Sequence, residues 1–269
     1  MVSPLQQVEK TVRGVKWALD SHSNLRYKRP QGICMRSYIK AQIESLMNYL
    51  PVPTMSIDNL YAYFDALYHN RSLPGPVVEV GCACGGTTAL ACRFLSATGC
   101  RKPYYCIDTF SGFVEGQLAT DHELGLTPNH DKKFRNTTVR RLRGNLQRWG
   151  IRSNIHIIEG DICSIDDDRI PPDISVVLMD VDLRDPTCIG LKKLYAKLAR
   201  GGIILVDDCK KGTSWVGANV GYLDFVRAAG LRPRYYFGLG VAEKVPEGGR
   251  GIPWHFSESP NPIEDGFYS

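Results

Sequence analysis

The amino-acid sequence predicts an α/β chain: a doubly wound, mostly parallel seven-stranded sheet with an N-terminal helical lid. Three observations lead there. Short apolar, β-branched runs alternate with stretches of helical period along most of the chain. The first run, Val77-Val78-Glu79-Val80, opens into a turn carrying Gly81, Gly85 and Gly86 and then into a helix. Five predicted strands end in an acid or a glycine turn, at Glu79/Gly81, Asp108, Asp161, Asp180 and Asp207-Asp208.

The elements follow in order. Residues 1–31 are polar and without a strong period. Apolar residues at helical spacing predict a helix over 32–49, which Pro51 and Pro53 end. Ser56-Ile57-Asp58 caps a second helix through Leu60, Tyr63, Leu67 and Tyr68. These helices pack on the sheet or form part of a lid. Val77–Val80 is a buried strand, and Thr87 and Thr88 are expected to cap the helix after it. Tyr104–Asp108 is the second strand. An irregular loop is expected over 114–133, then a helix from Lys133 to Trp149. Strands follow at Asn154–Asp161 and Ile174–Asp180, a helix at Pro186–Leu198 and a strand at Ile203–Asp208. A helix over Val216–Ala229 and a closing strand pair, 234–238 and 239–242, complete a Rossmann-like sheet. The division expected is a helical segment or lid over 1–70, a catalytic domain over 71–245 and a C-terminal tail over 246–269.

Composition bounds the function. With 269 residues, 43% of them apolar, the chain can bury one sizeable core. A net charge of +5 without a long basic block argues against a nucleic-acid protein, and Arg140-Arg141-Leu142-Arg143 reads as a solvated helix face. No apolar run approaches the ~20 residues that span a bilayer. A cytoplasmic location is expected, because the N-terminus lacks the order of a secretion signal. Nine scattered cysteines fit reduced thiols, and Cys82-x-Cys84 has no second pair at zinc spacing. The N-terminal helices offer a dimer surface, so a homo-oligomer is expected.

In a parallel sheet the acids at the strand ends converge on one cleft. Asp108, closing the second strand, is placed for the two hydroxyls of a ribose. The first turn, Gly81-x-x-x-Gly85-Gly86, lacks both the dinucleotide glycine pattern and a phosphate-binding lysine. It suits a nucleoside with an amino-acid tail, such as S-adenosylmethionine. Gly81, Cys82, Gly85 and Thr87 of the turn, and Thr109 after Asp108, are the candidate contacts. Asp180, Asp207 and Asp208 form a second set, with Asp180 bordering the cofactor as well. Three carboxylates at neighbouring strand ends repel unless a cation joins them, and an all-oxygen set favours Mg²⁺. A metal-held hydroxyl is then activated for methyl transfer. His130, and second His122, are candidate general bases in the loop over the cleft.

These motifs resemble one family. Val77-x-Glu79-x-Gly81 with Gly85-Gly86-Thr87, Asp108-Thr109-Phe110-Ser111-Gly112-Phe113, Asp180-Val181-Asp182-Leu183 and Val206-Asp207-Asp208 are similar to the macrocin O-methyltransferases, over about Met55 to Lys244. The resemblance implies a Mg²⁺-dependent, S-adenosylmethionine-dependent O-methyltransferase acting on a sugar or phenol hydroxyl of a natural product. It implies Glu79, Gly81 and Asp108 as cofactor residues, Ser111 at the cofactor's polar end and Asp161-Ile162 beside the adenine. It implies Asp180, Asp207 and Asp208 as metal ligands and a histidine of 122–130 as base. The chain departs from the family pattern at Arg184 and Cys209. Two other readings stay open. One is a metal-independent transferase with a histidine base. The other is a non-catalytic or hydroxylase-type cofactor-binding protein of the same fold.

Overall fold

The computed structural model describes Ile39 and residues 55–127, 134–151, 154–210 and 212–245. Apart from Ile39, which is helical and buried, the helix expected over 32–49 lies outside the described residues, as does the tail 246–269.

The chain runs α1 (Ile57–His69), β1 (Val77–Val80), α2 (Gly86–Ala97), β2 (Tyr104–Asp108), α3 (Glu115–Glu123), α4 (Val139–Arg148) and β3 (Ile155–Glu159). It continues with β4 (Ile174–Met179), α5 (Arg184–Lys197), β5 (Leu198–Val206), α6 (Val216–Ala228), β6 (Tyr235–Tyr236) and β7 (Leu239–Glu243). The seven strands lie in the order β3-β2-β1-β4-β5-β7-β6. The first five pair in parallel, while β7 runs antiparallel to both β5 and β6. The strand order reverses between β1 and β4, the point where an open α/β sheet leaves a crevice.

Strand residues alternate between two cores, one on each face of the sheet. Val77, Tyr104, Cys106, Val176, Leu178, Ile203 and Leu205 face α1, α2 and the buried side of α4. Val78, Val80, Ile107, Val177, Met179, Ile204 and Val206 face α5 and α6. Burial on both faces explains why β1 and β4 are apolar almost throughout. In α4 only Leu142 and Leu146 are buried, so the Arg140-Arg141-Arg143 run is a solvated face, as its composition suggests.

α1 is part of the core. Leu60, Tyr63, Phe64 and Leu67 are buried, and Phe64 stacks on Phe94 of α2 with ring centroids 4.6 Å apart. Ser56 caps it by accepting from the Asn59 N–H. The closing hairpin turns at Phe237-Gly238, whose φ values of 50° and 83° are those of a type I′ turn. The Tyr222 hydroxyl of α6 accepts from the Arg234 N–H at 2.9 Å and lies 2.9 Å from the Val241 carbonyl, which pins the hairpin to the helix.

Four local expectations are corrected. Thr87 and Thr88 do not cap α2: Gly85 is the N-cap, and both threonines are buried inside the helix. The stretch expected to be an irregular loop contains α3, which buries only Leu118 and Asp121 and so shows no apolar period. α4 starts at Val139, not Lys133, because Phe134 takes a left-handed φ of 65° and Thr138 supplies the cap. β5 begins at Leu198 and carries Gly201-Gly202 within it. A Cβ on Gly202 would strike the Ile174 carbonyl, beside the register shift between β4 and β5.

Truncating Phe94→Ala is expected to lower the unfolding free energy by about 3–5 kcal/mol, because its ring fills the α1–α2 seam. A lower denaturant midpoint at an unchanged slope checks this.

Candidate active site

The parallel register sets the strand ends side by side. Just past them, Gly160 N–H donates to the Asp108 carbonyl (2.9 Å) and Gly81 N–H to that of Ile107 (2.9 Å). Asp180 N–H donates to the Val80 carbonyl (2.8 Å) and Asp207 N–H to that of Met179 (2.8 Å). This staircase places Gly160, Asp108, Gly81, Asp180 and Asp207 along the floor of one cleft of about 610 Å³.

At the glycine-turn end, the Asp108 carboxylate is held from both sides. Ala83 N–H donates to one oxygen (2.8 Å) and Phe110 N–H to the other (2.7 Å). Both donors sit at left-handed φ, 45° and 51°, in a conformation that costs roughly 1 kcal/mol or more for each residue with a Cβ. Burial raises the pKa of Asp108, against the pull of these two N–H groups. A carboxylate offers about four lone-pair sites, so two remain for hydroxyl donors. Asp161 lines the cleft beside Ile162, and Gln117 of α3 donates to it at 2.8 Å. Among the described lining residues, the one Lys or Arg side chain is Lys210, whose charge acts on Asp207. The Gly81, Ala83 and Gly85 N–H groups of the glycine turn are bonded to Ile107, Asp108 and Cys82, so the turn makes no phosphate cradle and brings no phosphate-binding cation. That fits a nucleoside carrying an amino-acid tail.

The other end is acidic. Asp180, Asp182, Asp207 and Asp208 all line the cleft. Burial first, then the charges of Asp207, Asp182 and Asp208, push the Asp180 carboxyl well above the usual carboxylate range. Burial and the neighbouring Asp208 push Asp207 up to about 6. Asn59 of α1 donates to Asp207 and opposes the rise, as does the charge of Lys210. Thr213 donates to Asp208 at 2.7 Å. Asp182 and Asp208 hold left-handed φ of 64° and 53°, which an aspartate tolerates better than most residues.

As a metal site this donor set has the right chemistry, hard anionic oxygens. Among the described residues, however, no three His, Cys, Asp or Glu side chains are grouped to hold an ion by themselves. Mg²⁺ commonly takes one or two carboxylates and completes its shell with water and substrate oxygens. The acids fit an ion of that kind and no all-protein cage.

The structure thus brings together Gly81, Asp108, Thr109, Asp161, Ile162, Asp180, Asp207 and Asp208 of the residues expected from sequence. Six others do not line the cleft. Glu79 is buried beneath it, accepting from Thr88 (2.7 Å) and Tyr104 (2.5 Å). Cys82 is buried against Cys106, and Thr87 is buried in the first turn of α2. Gly85 is needed for the left-handed φ of 84° at the N-cap of α2, where a Cβ would also meet the end of the Leu142 side chain of α4. Gly81, although it lines the cleft, is needed because a Cβ would strike the Asp180 carbonyl. Ser111 and His122 are exposed, the latter on α3. His130 lies outside the described residues. The sequence reading missed Asn59, which is visible there only as part of a helix cap, and the cleft aromatics Phe113 and Phe134.

The family model described as macrocin-O-methyltransferase matches residues 52–222. No curated protein sequence matches the chain. Among solved structures, the O-methyltransferase NovP is similar at 17% identity and a TM-score of 0.63, over 78% of this chain and 99% of its own. The calicheamicin methyltransferase CalS11 is similar at 17% identity and a TM-score of 0.53, over 80% of this chain and 98% of its own. At such identities these two likenesses are of fold. No helix among the described residues is long and apolar enough to cross a membrane.

Burial pushes the Glu79 carboxyl up to about 7, from an ordinary 4.5, against the donors Tyr104 and Thr88. The folded state therefore holds this proton more tightly than the unfolded chain. The resulting stability is complete below about pH 4.5 and is lost as pH rises through about 7. It amounts to roughly 3 kcal/mol. Denaturant melts of wild type across that window are expected to lose stability with rising pH, and Glu79→Gln is expected to flatten the slope.

Proposed function

The chain belongs to the macrocin-O-methyltransferase family and is an S-adenosylmethionine-dependent O-methyltransferase; we propose that it methylates a hydroxyl of a glycosyl or phenolic natural product with the help of Mg²⁺. The observation that carries the proposal is the group Asp180, Asp182, Asp207 and Asp208 in the cleft that starts at the glycine turn. When bound, S-adenosylmethionine supplies a methyl carbon made electrophilic by its sulfonium. Asp108, with both oxygens already oriented, accepts from the ribose hydroxyls, while Asp161 and Ile162 border the adenine. The carbonyls of Gly81 and Ala83, whose N–H groups are already bonded to Ile107 and Asp108, accept from the ammonium of the amino-acid tail.

Transfer requires the acceptor oxygen in line with the methyl carbon, about 3 Å away. Asp180, Asp207 and Asp208 would supply one or two carboxylates to Mg²⁺, with water and the acceptor completing its shell, and so orient that oxygen. When bound, the ion lowers the pKa of a coordinated hydroxyl. His130 takes the hydroxyl proton, with His122 the second choice because it faces solvent on α3. A second reading, with the histidine as base and no metal, draws support from the lack of a three-carboxylate cluster among the described residues.

Methyl transfer from labelled S-adenosylmethionine to a panel of catechols and methyl glycosides tests both readings. Removal of divalent ions with EDTA is expected to lower turnover by about 100-fold or more, with recovery on adding Mg²⁺. Full turnover after EDTA would leave the histidine-only reading standing. Asp207→Ala is expected to lose about 100-fold in turnover and to bind S-adenosylhomocysteine within about threefold of wild type by calorimetry. His130→Ala is expected to cost about 10²–10⁴-fold in turnover.

A further inference from the structure

Helix α3 is held in place by polar side chains. It buries only Leu118 and Asp121, too little apolar surface to fix a helix against the sheet. Asp121 is 1% exposed, and its carboxylate accepts from the Arg184 N–H at the start of α5 (2.9 Å). Gly217, in the first turn of α6, makes the room, since a Cβ there would strike that carboxylate. The turn after α3 is tied as well. Leu126 N–H donates to the Asp121 carbonyl (2.8 Å), and Val216 N–H donates to the Leu126 carbonyl (3.0 Å). α3 is thereby clamped to the starts of α5 and α6, and its place beside the cleft is fixed.

Gln117 precedes Asp121 by four residues, on the same helix face. It is half-buried, lines the cleft and donates through Nε2 to Asp161 at 2.8 Å. The other Asp161 oxygen accepts from the Cys163 N–H at 3.0 Å, so this carboxylate is held at both ends. A carboxylate accepts, so the amide nitrogen of Gln117, and not its oxygen, must face Asp161. That sets which way round the amide is turned. An amide has two N–H donors and one acceptor oxygen. Asp161 takes one N–H, and no other described residue bonds to the group. A second N–H and the carbonyl Oε1 remain, side by side, on a side chain that lines the cleft.

A donor beside an acceptor has a specific complement. Adenine presents its 6-amino donor next to the N7 acceptor, and a glutamine amide meets that edge with two hydrogen bonds. A 6-oxo purine presents two acceptors there, which leaves Oε1 with nothing to accept. We propose that Gln117 reads the adenine of the cofactor by this edge, Oε1 accepting from the 6-amino group and Nε2 donating its second N–H to N7. Asp161 fixes the rotation of the amide, and Asp121 fixes the helix that carries it. The inference rests on the adenine lying beside Asp161 and Ile162, the placement proposed above.

Full-length protein is to be titrated by calorimetry with S-adenosylhomocysteine, its 7-deaza analogue and S-inosylhomocysteine. Wild type is expected to bind the 7-deaza analogue about tenfold more weakly than S-adenosylhomocysteine, and S-inosylhomocysteine about 100-fold more weakly. Gln117→Met keeps the length of the side chain and removes the amide. It is expected to bind S-adenosylhomocysteine about tenfold more weakly than wild type does, to bind the 7-deaza analogue equally well, and to narrow the S-inosylhomocysteine gap about tenfold. A merely structural role would weaken all three ligands alike and keep the wild-type ratios. Should Gln117→Met fail to fold by circular dichroism, Gln117→Leu is expected to show the same convergence. Equal binding of the 7-deaza analogue by wild type, unchanged S-adenosylhomocysteine affinity in the variant, or wild-type ratios kept in the variant overturns the inference and leaves the methyltransferase reading intact. Asp161→Ala tests the placement of the adenine: it is expected to weaken S-adenosylhomocysteine about tenfold or more, and no change there strikes the placement and the inference together. Failure of wild type to bind S-adenosylhomocysteine strikes the methyltransferase reading itself and the inference with it.

Discussion

Four backbone hydrogen bonds past the strand ends, from Gly160, Gly81, Asp180 and Asp207, govern this molecule. They continue the parallel register of β3-β2-β1-β4-β5 beyond the last paired residues. Chain segments that lie far apart in sequence thus arrive side by side at the place where the strand order reverses. Because β1 and β4 are so close there, Gly81 has no room for a Cβ beside the Asp180 carbonyl. The same bonds that close the sheet assemble the floor of the cleft.

That floor carries an electrostatic cost. Asp180 and Asp207 are removed from water and set beside other carboxylates, and both rise in pKa for those two reasons, burial first. Glu79 rises through burial while Thr88 and Tyr104 donate to it from below the floor. Left-handed backbone gathers at the same level, at Ala83, Phe110, Asp182 and Asp208. Sites of this kind persist where the surrounding structure over-determines them. Here the two apolar faces of the sheet supply that support, with α1 and α2 stacked through Phe64 and Phe94 on one side.

The two ends of the cleft are built differently. The glycine-turn end depends on sheet geometry and on backbone N–H groups aimed at Asp108. The aromatic end is made by loops and helix starts around Phe113, Phe134 and Trp215. The Asp208–Thr213–Trp215 chain ties the acid group to the aromatic wall, so the two share one support.

The sequence by itself determined the α/β class, the strands, most of the helices and the acids Asp108, Asp161, Asp180, Asp207 and Asp208. Its information there is local: β-branched runs make buried strands, and a strand's last residue must lie at its carboxyl end. Tertiary structure alone decided the rest. α3 buries too little to leave a periodic trace. Gly202 answers to a neighbour, the Ile174 carbonyl, that no local pattern names. Glu79, Cys82 and Thr87 sit in the cofactor motif yet point into the core, because a strand and a helix start each have an inner face as well as an outer one. Asn59 reaches Asp207 across 148 positions of sequence. The aromatic wall joins three segments that meet only when the sheet closes, so packing, and not spacing, made it a surface.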